Sequence, residues 1–97
     1  MNNVTLVGNL GDNPELRNSN NGNEFIIFSL ATNDGFGENK KTNWHNCIAF
    51  GKAAELIHKY TQKGSKLAIS GSIDYRKNDD KYYTSIIVNS FTFVDKK

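Results

Sequence analysis

The sequence is poor in the residues that build cross-links, metal sites and covalent chemistry. Cys47 is its only cysteine, so no internal disulfide can form and a reducing compartment, the cytoplasm, is the expected location. One cysteine and two histidines, His45 and His58, offer no zinc-type ligand spacing, and neither a metal nor another cofactor is expected. A phosphate-cradling loop of the Walker or dinucleotide type is missing. No apolar run approaches the roughly 18 residues that a membrane span requires, so no membrane partner is expected. The opening MNNVTLVGNL has no basic leader followed by an apolar core of about 7–15 residues, and is not read as a secretory signal. A nucleophile–base pair would have to come from Cys47, His45, His58 and the scattered hydroxyls. Two apart in a strand, Cys47 and His45 share the face opposite Trp44, toward the interior or an interface, where a cysteine is an inert small hydrophobe. The chain is read as a non-enzyme.

What is present points to binding. At 97 residues the chain fits a single domain, 1–97, able to bury roughly two-thirds of its unfolded surface in one core. Its net charge is only +2, but the distribution is uneven: residues 1–39 carry −4 and residues 40–81 carry +5. Either this is a solvated mixed-charge surface, or the central segment receives an anionic partner.

Hydrophobic periodicity orders the elements. Residues 3–10 form a first strand, with Val4, Leu6 and Gly8 alternating against Thr5, Val7 and Asn9. Gly11-Asp12-Asn13-Pro14 breaks it, and Glu15 to Arg17 can resume an extended path. After the turn NSNNGN comes a second strand, Phe25 to Asn33, with Ile26, Phe28 and Leu30 on one face and Phe25, Ile27 and Ser29 on the other. Both faces are apolar near its start, so both are expected to be covered, the second by a partner subunit. A polar loop, Asp34 to Lys41, carries a lone Phe36, and a third strand runs from about Thr42 to Phe50. Lys52 to Thr61 is predicted helical, with Ala53, Leu56, Ile57 and Tyr60 as its apolar stripe and Gly64 as its stop. Lys66 to Lys77 is a fourth strand with Leu67, Ile69, Gly71 and Ile73 toward the core, Asn78-Asp79-Asp80 turns the chain, and Lys81 to Val94 is the last strand.

Five strands with one short helix between strands 3 and 4 match the all-β OB-fold, a five-stranded Greek-key barrel, with Gly71 suited to a sharp bend at closure. An SH3-like barrel or an open α+β sheet shares the same pattern.

The third strand displays Trp44, Asn46, Ile48 and Phe50 on one face. Two readings stay open. Trp44 and Phe50 are core residues, or they stack unpaired bases, worth roughly 1–3 kcal/mol per base whatever its identity. For the second reading Lys40, Lys41, Lys52 and Lys63 would neutralise phosphates, and Arg76 and Lys77 would extend the basic track.

At this point the residues resemble the bacterial single-stranded DNA-binding protein family. VTLVGNLGDNPELR resembles its opening strand and turn, FSLATND its second strand, WHNCIAFGKAAELIHKYTQKGSKLAISGSI its third strand, helix and fourth strand, and YYTSIIVN the start of its last strand. The likeness covers nearly the whole chain in order. It implies the OB-fold and sequence-independent binding and protection of single-stranded DNA in replication, recombination or repair. It assigns stacking to Phe36, Trp44 and Phe50, phosphate contacts to Lys52 and Lys63, and a basic contact to Arg17.

The departures bear on strength and assembly. Many members carry a further Trp in the last hairpin; here Asn78 follows Arg76-Lys77, and Tyr75 lies on the opposite strand face. Asp74 and Asn46 stand where positive charges are common, so weaker binding and a shallower salt dependence are expected. Ala68 replaces a larger side chain that packs between dimers in the family, which leaves a homo-oligomer, tetramer or dimer, as the expected assembly. The family's long linker and acidic, Phe-ended tip recruit replication proteins. The sequence given ends Val94-Asp95-Lys96-Lys97 without them, as expected either of a tail-less form or of the core of a longer chain. A primosome-type accessory OB protein acting mainly through protein partners is the alternative. RNA binding of cold-shock type is disfavoured, because paired aromatic signatures on adjacent strands are missing.

Overall fold

A computed structural model describes residues 1–18, 22–34 and 41–94. Among these residues the chain forms β1 (Val4–Leu10), β2 (Glu15–Asn18), β3 (Glu24–Asp34), β4 (Lys41–Phe50), α1 (Gly51–Tyr60), β5 (Lys66–Asn78) and β6 (Lys81–Phe93). The extended path expected after Pro14 is a separate strand, β2, exposed along its length and paired with the first half of β3. The expected third and fourth strands are therefore β4 and β5, with the helix between them.

Pairing follows the order β1-β5-β6-β4-β3-β2, and β1 also pairs with β3, which closes five strands into a barrel and leaves β2 on its rim. All the ladders are antiparallel except β4–β6, which run parallel at Cys47↔Ile86 and Ile48↔Ile87. This is the OB-fold. An open sheet is excluded by the β1–β3 closure.

Closure depends on two close backbone approaches. β1 pairs with β5 from Val4 to Asn9 and passes to β3 at Asn9↔Ala31 and Leu10↔Leu30. A Cβ on Gly8 would overlap the Ala31 carbonyl at that crossing. On the other side, a register shift between Ser70 and Gly71 bends β5 against β6, and a Cβ on Gly71 would overlap the Ile87 carbonyl. The bend expected at Gly71 is thus a bulge, the device by which sheets turn corners.

Strand alternation fills the interior. Leu10, Ile26, Phe28, Leu30, Cys47, Ala49, Leu67, Ile69, Ile86 and Val88 are buried, and Ala54 and Ile57 of α1 cover the open end. The helix begins and ends one residue earlier than expected, and its buried stripe is rotated. Ala54 and Ile57 face the barrel, Ala53 and Leu56 flank them, and Tyr60 is 56% exposed with its ring edge-on to Phe93. The small Ala54 allows α1 to sit close to β3 and β4, and that close fit sets the stripe; a periodicity weighted by side-chain size misplaces it. Thr61 is extended, and Gly64, at φ 90°, turns the chain into β5 with its N–H donating to the Leu10 carbonyl at 2.9 Å.

Within the single chain the two faces of β3 differ. The inner residues Ile26, Phe28 and Leu30 are buried, but Phe25 is half-buried and Ile27 is exposed. Their face continues sideways onto β4, because β4 lies beside β3 in the sheet rather than across it.

Cys47 lies in the barrel wall facing inward, and burial pushes its thiol from 9.0 up to about 12. The unfolded chain releases this proton near pH 9, while the folded chain holds it to about pH 12. Stability owed to the neutral thiol is therefore intact below pH 9 and lost as the pH rises between the two values. Urea unfolding followed from pH 8 to 11 should show a fall in stability that is smaller in Cys47→Ala, and native Cys47 should resist a thiol reagent that labels the unfolded chain.

Candidate nucleic-acid interface

β4 has one face in the core and the other outside. His45, Cys47 and Ala49 point inward, where His45 Nε2 lies 2.9 Å from the Thr32 hydroxyl. Trp44 and Phe50 point outward, 62% and 50% exposed. The core reading of these two rings is excluded. The inward positions are already filled by Cys47 and Ala49, which leave no room for large aromatics, and a one-residue slip would move the whole set.

Register builds the outer surface in rows. Ala31 is opposite Trp44, Ser29 opposite Asn46, Ile27 opposite Ile48, and Phe25 opposite Phe50. The Phe25 and Phe50 rings lie 6.2 Å apart, tilted by 39°. Arg17 on β2 pairs with Phe25 and extends that row, its Nη2 3.4 Å from Glu15 Oε2. Trp44 and Phe50, six residues apart on one strand, are separated by about 20 Å. Between them the surface passes from a polar row to an aliphatic one.

A second wall stands opposite. The first residues of β4 and β6 run away from their short parallel contact and diverge, opening a cleft of about 290 Å³. Trp44, His45 and Asn46 line one side, and Tyr82, Tyr83 and Thr84 the other. Tyr82 is 74% and Tyr83 49% exposed. These two tyrosines are the residues that sequence reasoning missed. Their signal was present: adjacent residues in a strand point to opposite faces, so Tyr82 and Tyr83 cannot both enter the core. What was not visible is that the parallel β4–β6 contact brings them to Trp44.

The basic residues are distributed around this surface. Arg76 is opposite Tyr83, and Lys77 opposite Tyr82 with its Nζ 5.5 Å from the ring centroid. Arg76 Nε donates to Asp74 Oδ2 at 2.8 Å, an exposed pair that an incoming phosphate can displace at small cost. Tyr75 continues the inward face of β5 beyond the barrel and is exposed, so it stands on the other face from Arg76, as expected. Lys41 is opposite Asp34 at the far end of the β3–β4 ladder. Lys52 is exposed in the first turn of α1, two residues after Phe50. The backbone N–H of Lys63 donates to Asn13 Oδ1 at 2.7 Å, which docks it on the turn between β1 and β2, and that turn lies against the Trp44 ring. Phe36 and Lys40 lie outside the described residues.

Glu24 is the counterweight at the Phe25 end. Its pKa is raised above 4.5, first by a side-chain hydrogen bond that the protonated Glu24 donates to Glu55, then by burial and the Glu55 charge, with the His58 charge opposing. Among the described residues no group of three or more His, Cys, Asp or Glu could hold a metal, and no helix is long and apolar enough to cross a membrane.

The surface therefore offers separated aromatic rings, open on at least one side and bordered by lysine and arginine. That arrangement suits a chain of unpaired bases joined by phosphates. The sequence matches the model of the single-strand binding protein family over residues 1–94. It is 33% identical over 108 aligned positions to single-stranded DNA-binding protein 1 of Chlorobaculum tepidum, an alignment that spans 100% of this chain and 67% of that relative.

The two strand faces predict different mutational responses. Trp44→Ala, on the outer face, should change the unfolding free energy by less than about 1 kcal/mol. Ile57→Ala, under the barrel, should cost about 2–5 kcal/mol. Urea denaturation of the two variants checks both values.

Proposed function

Because this chain belongs to the single-strand binding protein family, we propose that its β4 face and the β5–β6 hairpin together form a sequence-independent path for single-stranded DNA, protecting it during replication, recombination or repair. The observation that carries this reading is the exposure of Trp44 and Phe50 on a strand whose other face is buried. Every base has a π face, so a ring in water can hold any base, and burial of the base's hydrophobic faces drives the contact.

Trp44 and Phe50 stack bases, and Phe36, in the segment before β4, does the same. Tyr83, and Tyr82 beside it, take the position across the cleft that many family members fill with a hairpin Trp. Lys41, Lys52, Lys63, Arg17, Arg76 and Lys77 contact phosphates. Lys52 supports the assignment in its own way. A cation in the first turn of a helix opposes the helix dipole and costs folding stability, so an anion there is doubly welcome, meeting both the charge and the free N–H groups.

The protein works by binding alone, as a single domain over residues 1–97, without cofactor or catalytic group, in the cytoplasm. It acts as a homo-oligomer, dimer or tetramer. What supports assembly is the outer face of β1 and β5, where exposed Val7 lies opposite Ala68, with the small Thr5–Ser70 pair in the next row. That surface is one a second copy can cover, and solution mass decides between the two states.

Titration with oligo-dT tests the binding reading directly, since Trp44 is the only tryptophan and stacking quenches its emission. Trp44→Ala should weaken binding roughly tenfold. Lys63→Ala should lower the slope of log K against log salt by about 0.7, the value of one phosphate contact on a single strand. Unchanged emission with no retained oligomer at low salt would overturn the reading.

A further inference from the structure

The Trp44 ring is exposed on one side and seated on the other. Beneath it is the turn that joins β1 to β2, and the atom it covers belongs to Gly11. A Cβ built on Gly11 would overlap Trp44 Cζ3 and lie 3.1 Å from Cη2 and 3.3 Å from Cε3. The six-membered half of the indole thus rests on bare backbone.

That backbone cannot easily yield. The Gly11 N–H donates to the Ser29 carbonyl at 3.0 Å, and the Leu10 N–H to the Ser65 carbonyl at 2.9 Å. Asn13 Oδ1 accepts from the Lys63 N–H at 2.7 Å, and the Pro14 carbonyl accepts from His58 Nδ1 at 3.0 Å. The turn is therefore fastened to β3, to the segment entering β5 and to α1. Gly11 does not have the left-handed φ found at Gly22, Gly51 and Gly64. An alanine there meets no backbone strain, only the ring.

We propose that Gly11 is the positioning residue for Trp44: its missing side chain lets the indole lie against a clamped turn, holding the ring in one orientation before a base arrives. The inference rests on the reading that Trp44 stacks a base. A ring already ordered gives up less rotational freedom on binding than a free one. Gly11 touches no DNA itself, and it acts only through Trp44.

The test compares oligo-dT affinity for wild type, Gly11→Ala, Trp44→Ala and the double variant. Gly11→Ala should weaken binding roughly tenfold while Trp44 is present, as if the ring had been removed. In the Trp44→Ala background the same change should cost no more than about twofold, because its only target is gone. Time-resolved anisotropy supplies a readout independent of affinity. In wild type, Trp44 should depolarise with whole-body tumbling, and in Gly11→Ala a fast local component should appear. An equal loss in both backgrounds, or no loss with Trp44 present, overturns the proposal. Should Gly11→Ala fail to fold, wild-type anisotropy still decides: a dominant sub-nanosecond component refutes a seated ring. If Trp44→Ala alone leaves affinity unchanged, base stacking itself fails; if it weakens binding and Gly11→Ala does not, only the role of Gly11 fails.

Discussion

The passage of β1 from β5 to β3 is the contact on which the rest of this structure depends. It closes the barrel, and it is possible only because Gly8 lets the β1 backbone approach the Ala31 carbonyl. Once closed, the sheet has an inside and an outside, and each strand must commit alternate residues to each. β4 then has no choice: with Cys47 and Ala49 inside, Trp44 and Phe50 are outside. The same crossing delivers Leu10 to the core and leaves Gly11 beneath the Trp44 ring. Closure, core and the exposed aromatic face are consequences of one geometric event.

The DNA path proposed for this surface divides its work between rings and charges. The rings would give contact without sequence preference, and they are held by the ladder between β3 and β4. The charges come mainly from less constrained places: the helix start, the turn after the helix, and the β5–β6 hairpin. Two of them, Arg17 and Arg76, already have carboxylate partners, Glu15 and Asp74. Such exposed pairs are weak, but each reduces the field an approaching phosphate feels. With the polar Asn46 in the middle of the face, the proposed DNA path relies more on stacking than on charge.

How much of this was legible beforehand varies by element. The alternation along β4 was plain from Trp44 to Phe50, because a strand's period of two is a local property. So was the inward direction of Leu67, Ile69 and Gly71. The helix was found with Ile57 on its buried stripe, but the stripe included Tyr60 and left out Ala54. An alanine gives little hydrophobic signal and yet permits the closest approach, so its place in the core is set by its neighbours. Tyr82 and Tyr83 received no role because their partner, Trp44, is some forty residues away along the chain, and only the parallel β4–β6 contact joins them. The strand Glu15–Asn18 was faint, being short and exposed, and exists because β3 offers it an edge.

The sequence by itself determined the class of fold, the order of strands and helix, and which residues share a face with Trp44. These follow from periodicities of two and 3.6, which need only near neighbours. It also carried the family likeness, spread in order along nearly the whole chain. Tertiary structure alone decided which of the two faces of β4 lies in water, because that depends on what β1, β5 and β6 bring to the other side. It decided that Tyr82 and Tyr83 line one cleft with Trp44, and that a glycine lies beneath its ring. These are contacts between segments far apart in the chain, and no local pattern encodes them.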